Sequence, residues 1–213
     1  MEFKQDTRVY TSDGQVVGHV DRVVLDPKTK AVSHIVVRKG FLFVEDKVVP
    51  LDLIASADAE RVTLRAAAGD LEKLPPFEET HYVPLGIDEA ASAAYAEGLA
   101  EPLYWYPPIG GWMGHDYLPP YSLHIDQNIP ENSVAVIEGA RVVTADDKDV
   151  GHVEQVFTDQ GSNRATYFVI EHGFLTKTKK LIPTTWIRKV AETEIELSVG
   201  SSIVDDLHEY QPT

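Results

Sequence analysis

Histidines are the residues of this chain whose type and spacing could hold a metal ion. His19 and His152 each stand between a glycine and a valine, whereas His115-Asp116 and His124-x-Asp126 combine histidine with carboxylates. None of these has the i, i+4 spacing of a zinc site on a helix, and the chain has no cysteine for a thiolate site. Period-two alternation turns His19 and His152 outward when the following valines point inward. We therefore expect solvent-facing or structural histidines and no metal site.

Other patterns that support catalysis are missing from the sequence. There is no Gly-x-Ser-x-Gly nucleophile motif, and Gly110-Gly111 is not followed by the Lys-Ser/Thr of a phosphate loop. Gly14 and Gly18 precede no predicted helix, so they do not form a dinucleotide fingerprint. The basic cluster Lys177-x-Lys179-Lys180 favours a solvated loop, with a contact to RNA or an acidic peptide as the alternative. The sequence predicts a protein that is not an enzyme and binds no cofactor.

Composition narrows the class of partner. The 213 residues include 34 acidic and 19 basic side chains, for a net charge of −15, and 43% of the residues are hydrophobic. This acidic balance argues against duplex DNA, which needs clustered Lys and Arg. No apolar run approaches the ~18–20 residues of a membrane span. Met1 is followed by charged residues rather than an apolar signal segment, so we expect a cytoplasmic protein.

The chain contains an internal duplication with a constant offset of 133 residues. Without a gap, residues 8–64 match residues 141–197 at 18 of 57 positions. Val17-Gly18-His19-Val20, for example, corresponds to Val150-Gly151-His152-Val153. The duplication predicts two copies of one module, and because such copies commonly descend from a homodimer, we expect a pseudo-twofold pair within the chain. Pairing of His19 with His152 across that interface is the alternative to a solvent-facing role.

Each copy has the pattern of a small β-structure. Asp13-Gly14 is typical of a hairpin turn, and Arg61–Arg65 alternates apolar with polar residues. Val20 and Val23 are three positions apart, as are Val153 and Val156, and this repeated change of phase predicts a β-bulge that bends the strand. Five or six short strands in about 65 residues leave no room for a crossover helix, so each copy is predicted to be an antiparallel barrel.

These motifs resemble the PRC-barrel domain family, which is named for the cytoplasmic domain of the photosynthetic reaction-centre H subunit. The resemblance implies a barrel fold in both copies and a role outside enzyme catalysis, as in the reaction centre or in a ribosome maturation factor that grips a ribosomal protein. The motifs are structural, so no functional residue carries over from the family. They are Asp13-Gly14-x-x-Val17-Gly18-x-Val20, Gly40-Phe41-Leu42 and Val48-Val49-Pro50-Leu51 in the first copy, and Asp149-Val150-Gly151-x-Val153, Gly173-Phe174-Leu175 and Leu181-Ile182-Pro183 in the second.

The segment between the copies differs in character from both of them. We predict an all-β protein with barrels at 1–69 and 134–213, joined by a connector at 70–133 with one short helix near 87–99. The connector has 11 acidic residues against one lysine and holds 9 of the 13 prolines. It is rich in large rings, which either pack on the barrels or anchor a partner. These candidate partner-binding residues are Tyr104, Trp105, Tyr106, Trp112, Tyr117 and Tyr121.

The sequence favours a non-enzymatic interaction or scaffold protein with an unidentified protein partner. Pairing of the barrels within one chain, or assembly of several chains, is compatible with the duplication. The alternative function is that of a regulatory or assembly subunit in a larger ribosome-associated, electron-transfer or cell-division complex, with a bound ligand or an RNA contact.

Overall fold

The computed structural model describes residues 1–39, 45–84, 121–137, 139–159, 161–172 and 178–211. Within these ranges the chain is mostly β-strand, with two short α-helices and two 3₁₀ turns. It divides into two units, Met1–Phe77 together with Asn128–Thr213, and Glu78–Gln127. No helix of the described ranges is long and apolar enough to cross a membrane.

The strands and helices follow one another in an order that repeats itself. The bounds, in chain order, are β1 Glu2–Lys4, β2 Arg8–Tyr10, β3 Val16–Leu25, β4 Val32–Lys39, β5 Lys47–Pro50, β6 Ile54–Ala57, β7 Arg61–Leu64, α1 Ala68–Leu71, β8 Glu78–Pro84, β9 Tyr121–Gln127, β10 Val134–Ile137, β11 Arg141–Val143, β12 Asp149–Thr158, β13 Ala165–His172, β14 Thr178–Pro183, β15 Ile187–Val190, β16 Glu194–Leu197 and α2 Ser201–Asp205. We call β2–β7 with α1 the first module and β11–β16 with α2 the second module.

The two modules have the same topology. The first sheet has the strand order β5-β4-β3-β2-β7-β6, and the second has β14-β13-β12-β11-β16-β15. Each strand of the second order corresponds to the strand at the same place in the first, shifted by 133 residues. One helical turn follows the last strand of each module, at Ala68–Leu71 and Ser201–Asp205, which the sequence did not predict. The duplication read from the sequence is therefore a duplication of structure.

The prediction of purely antiparallel barrels is wrong in one respect. Strand β2 pairs with β7 in parallel, and β11 pairs with β16 in parallel. The reason is that the 3₁₀ turns Leu51–Leu53 and Thr184–Trp186 join β5 to β6 and β14 to β15 as corners, without reversing the strand direction. In the part of the chain that the structure describes, β5 does not pair with β6, and β14 does not pair with β15. Hydrogen bonds therefore do not close either sheet into a barrel.

The predicted bulges are confirmed. The register of β3 on β4 shifts between Val20 and Arg22, and that of β12 on β13 shifts between Val153 and Gln155. Each shift returns the next valine to the core. The paired positions are buried in both modules, with relative exposures of 2% and 3% for Val20 and Val153, 6% and 7% for Val23 and Val156, and 1% and 0% for Leu64 and Leu197.

The modules exchange a strand with each other. Strand β1, which precedes the first module in the chain, pairs with β12 of the second, with Phe3 opposite Val156. Strand β10, which precedes the second module, pairs with β3 of the first, with Val136 opposite Val23. Both pairings have the same register when numbers are shifted by 133 residues. The modules therefore form an intramolecular pair in which each one extends the other's sheet.

The connector contains an element that the sequence did not predict. Strands β8 and β9 form a separate two-stranded antiparallel ribbon, with Glu78 opposite Gln127 at one end and Pro84 opposite Tyr121 at the other. Strand β8 begins with the polar run Glu78-Glu79-Thr80-His81, which lacks the apolar alternation typical of a half-buried strand. The helix predicted near 87–99 lies outside the described residues.

Candidate functional site

The structure keeps His19 and His152 in separate sheets. In the ladders, His19 of β3 lies between Arg8 and Arg38, and His152 of β12 lies between Arg141 and Glu171. His152 is exposed, as the alternation predicts, and His19 is half-buried. Each histidine thus has charged ladder neighbours of its own module.

The aspartates shared by the two copies stabilise turns. The Asp26 carboxylate accepts hydrogen bonds from the backbone N–H groups of Lys28 at 2.6 Å and Thr29 at 3.0 Å. The Asp159 carboxylate accepts from the backbone N–H of Ser162 at 2.8 Å and from the hydroxyl of the same residue at 2.8 Å. These bonds lower the pKa of both aspartates, because they favour the ionised form. Asp26 and Asp159 therefore act as turn caps.

The basic cluster is bound into the fold rather than left in a solvated loop. Lys179 Nζ lies 2.6 Å from Glu154 Oε1, and Lys180 Nζ donates to the carbonyl oxygens of Val204 and Asp205, each at 2.8 Å. The last two groups belong to the C-terminal turn of α2. Lys177 lies outside the described residues. Lys179 and Lys180 are thus structural, which corrects the solvated-loop interpretation.

Two carboxylates at the bulges were missed as centres of ion pairs. Asp21 and Glu154 occupy equivalent bulge positions, with side-chain exposures of 10% and 12%. Asp21 pairs with Arg22 at 3.1 Å and with Arg38. The sequence does contain a signal for these ion pairs. In both copies an acidic residue follows the valine at which the apolar alternation changes phase.

Glu154 also joins the modules. Lys4 of β1 reaches its carboxylate at 3.1 Å, across the strand exchange. Burial acts to raise the pKa of Glu154, but the bonds from Lys179 and Lys4 outweigh it, so the pKa lies below its usual value. Glu154 is therefore charged at neutral pH and holds β1 and β14 to β12.

The ribbon places histidines and carboxylates on facing strands. His81 lies directly opposite His124, and Glu79 lies opposite Asp126. His81 Nε2 is 3.7 Å from Glu79 Oε2 and 3.7 Å from Asp126 Oδ2. In the ranges that the structure describes, no three His, Asp or Glu side chains are arranged to hold a metal ion. His115 and Asp116 lie outside those ranges.

The ribbon fixes both ends of the aromatic segment. Tyr121 begins β9 and pairs with Pro84, the last residue of β8. The two described residues that flank positions 85–120 therefore lie opposite each other at one end of the ribbon. The other five predicted partner-binding residues, Tyr104, Trp105, Tyr106, Trp112 and Tyr117, lie in this segment, outside the described residues.

Comparison with known protein families agrees with the repeated sheets. The family model of the PRC-barrel domain matches residues 5–71 and 130–201. The chain belongs to the PRC-barrel domain family. The two matches correspond to the two modules of the PRC-barrel protein and leave residues 72–129 between them. This unmatched part holds the ribbon and the aromatic segment. None of the curated proteins compared with the sequence matches it.

Proposed function

We propose that this PRC-barrel protein is a non-enzymatic interaction and scaffold protein that binds a protein partner through its aromatic segment. The observation that carries the proposal is that the β8–β9 ribbon fixes both ends of residues 85–120, the part richest in large rings. This part lies between the two family matches, so it is an addition to the repeated PRC-barrel scaffold.

The composition of the segment indicates the chemistry of the partner. Large aromatic side chains contribute most of the binding free energy at protein interfaces, where they fill pockets near the centre. In the sequence, acidic residues of the connector precede and follow these aromatic residues. We expect a partner surface with a groove for aromatic rings and a basic rim. Charge complementarity of that kind mainly raises the association rate.

The shared turn aspartates and the basic cluster have structural roles. Asp26 and Asp159 cap turns, while Glu154 and Lys179 pair with each other. Lys180 binds backbone carbonyls of α2. Because Lys179 and Lys180 are engaged in this way, the alternative of an RNA contact through the basic cluster is not favoured.

The test begins with affinity capture from native cells, with the full chain as bait. The Trp105→Ala variant is compared with wild type, and Ile125→Ser is the control, because Ile125 is an aliphatic residue of the ribbon with 55% exposure. We expect a partner that binds the wild type and the control equally and binds Trp105→Ala at least about tenfold more weakly in titration.

The salt dependence of binding gives a second readout. Added salt is expected to slow association and to change dissociation little, because exposed charges are screened within ~8 Å at physiological ionic strength. Equal capture and equal affinity for the wild type, Trp105→Ala and a chain without residues 101–121 would show that the segment is only a connector.

A further inference from the structure

The first module has a small apolar cluster on the outer side of its sheet. Val24, Val48 and Phe77 are buried there, with relative exposures of 0%, 2% and 2%, beside Ala135 of the exchanged strand β10. The side chain of Ile129 packs on this cluster from the segment that leads into β10. An aliphatic side chain from the bend that leads into β10 thus covers the first module at this place.

The same positions of the second module are open to solvent. Phe157, Leu181 and Tyr210 correspond to Val24, Val48 and Phe77 after the shift of 133, and all three are half-buried. They line a cleft of about 440 Å³. The counterpart of Ala135 is Glu2, which also lines the cleft. The surface that is covered in the first module is thus more exposed, and in part polar, in the second.

Backbone hydrogen bonds confirm that Tyr210 and Phe77 hold equivalent places. The Phe77 N–H donates to the carbonyl of Asp46 at 2.8 Å, and the Tyr210 N–H donates to the carbonyl of Lys179 at 2.6 Å. Lys179 is the residue that corresponds to Asp46. The difference in burial between the modules therefore comes from what covers the cluster and not from a different path of the chain at Phe77 and Tyr210.

The cleft has aromatic walls and also polar lining residues, Glu2, Thr158 and Thr166. Tyr167 stands at its edge with 43% exposure, and the ring of Phe157 meets the ring of Tyr210 edge to face, with centroids 6.1 Å apart. Leu181 lines the same space, and Ala57 reaches it from β6 of the first module. A partner that removes this apolar surface from water would gain binding free energy.

We propose that this cleft binds a short, bent segment of a partner protein that presents a branched aliphatic side chain. The first module supplies the template, Asn128-Ile129-Pro130. There the Asn128 N–H donates to the Phe77 carbonyl at 3.0 Å, while the Ile129 side chain packs on the apolar cluster. The partner segment takes the same place on the second module, with an N–H group directed at the Tyr210 carbonyl. The residues of this cleft are not those of the aromatic segment of the connector.

The test uses the full chain and a synthetic peptide with the sequence of residues 126–134, followed by NMR titration. We expect shifts of the Leu181 and Tyr210 signals and a dissociation constant of about 1 mM or tighter. A control peptide with aspartate in place of the Ile129 residue is expected to bind at least tenfold more weakly, because its charge would be buried against aromatic walls.

Two variants and one control locate the site. Leu181→Asp and Tyr167→Ser are expected to weaken binding of the 126–134 peptide at least tenfold, and Ile125→Asp on the ribbon is expected to leave it unchanged. Tyr167 is exposed, so its replacement keeps the test valid if Leu181→Asp unfolds the protein. The proposal is overturned by an absence of shifts at millimolar peptide, by equal binding of the aspartate peptide, or by shifts confined to Phe77 and Val48 of the first module.

Discussion

Replacement of Phe3 by alanine tests whether the exchanged strand is part of the common core. The Phe3 side chain is 1% exposed, lies opposite Val156 in the ladder and belongs to the main hydrophobic cluster. Loss of a buried phenylalanine ring costs about 3–5 kcal/mol, from lost transfer free energy and from the cavity that remains. We therefore expect Phe3→Ala to lower the free energy of unfolding by ~3–5 kcal/mol in urea titrations followed by circular dichroism.

The matched control is Val136→Ala at the equivalent place in β10, where the side chain is 4% exposed and faces Val23. This change removes two methyl groups rather than a ring, so its expected effect is smaller, about 1.5–3 kcal/mol. A loss below about 1 kcal/mol for Phe3→Ala, or a loss smaller than that of Val136→Ala, would refute a structural role for the β1 exchange. Unchanged denaturant slopes would show that both variants keep the same compact fold.

Further predictions concern tight packing and acid stability. A Cβ at Gly18 would lie 2.3 Å from a backbone oxygen of β4, so Gly18→Ala is expected to lower the stability by about 1–3 kcal/mol in thermal unfolding. A Cβ at Gly69 would have no atom within 4 Å, so Gly69→Ala is expected to stabilise α1 by up to ~1 kcal/mol. Equal melting temperatures for these two variants would contradict the contact distances. Hydrogen bonds from Thr144 and then from Ser201 hold the pKa of Asp146 well below its usual 3.8, so its stabilising effect is present above that pH and is lost as the pH falls through the folded-state pKa. Asp146→Asn is therefore expected to have a lower free energy of unfolding than wild type at pH 7, and the difference is expected to shrink in strong acid. Urea titrations at several pH values measure it, and a difference that does not change with pH would contradict this.

The sequence predicted those features that depend on local patterns repeated in both copies. The change of phase between Val20 and Val23 occurs again between Val153 and Val156, so one observation supported the other, and the bulges followed. A constant offset also identified which side chains share an environment. Local pattern was sufficient here because strand alternation and register have a period of two residues.

Other features depend on long-range contacts that the local pattern does not record. The corner Leu51–Leu53 sets the direction of β6. The sequence pattern does not show this corner, so the sheet was wrongly predicted to be purely antiparallel. The polar strand β8 is defined by its pairing with β9 and not by hydrophobic alternation. Of the predicted partner-binding residues, Tyr121 falls within a described strand, and the other five lie outside the described residues.

The strand exchange has a consequence for the order in which the protein folds during synthesis. The backbone groups of Met1 and Thr158 that hydrogen-bond in the native state are separated by 157 positions, so β1 cannot dock before the ribosome has made β12. Until then Phe3 has no native neighbour on β12. One edge of β3 is likewise unpaired until β10 has been made. The first half of the nascent chain therefore emerges with an apolar side chain and a sheet edge exposed, which are the features that chaperones bind and that promote aggregation. We expect docking of β1 to be a late step, because its partner β12 belongs to the second module.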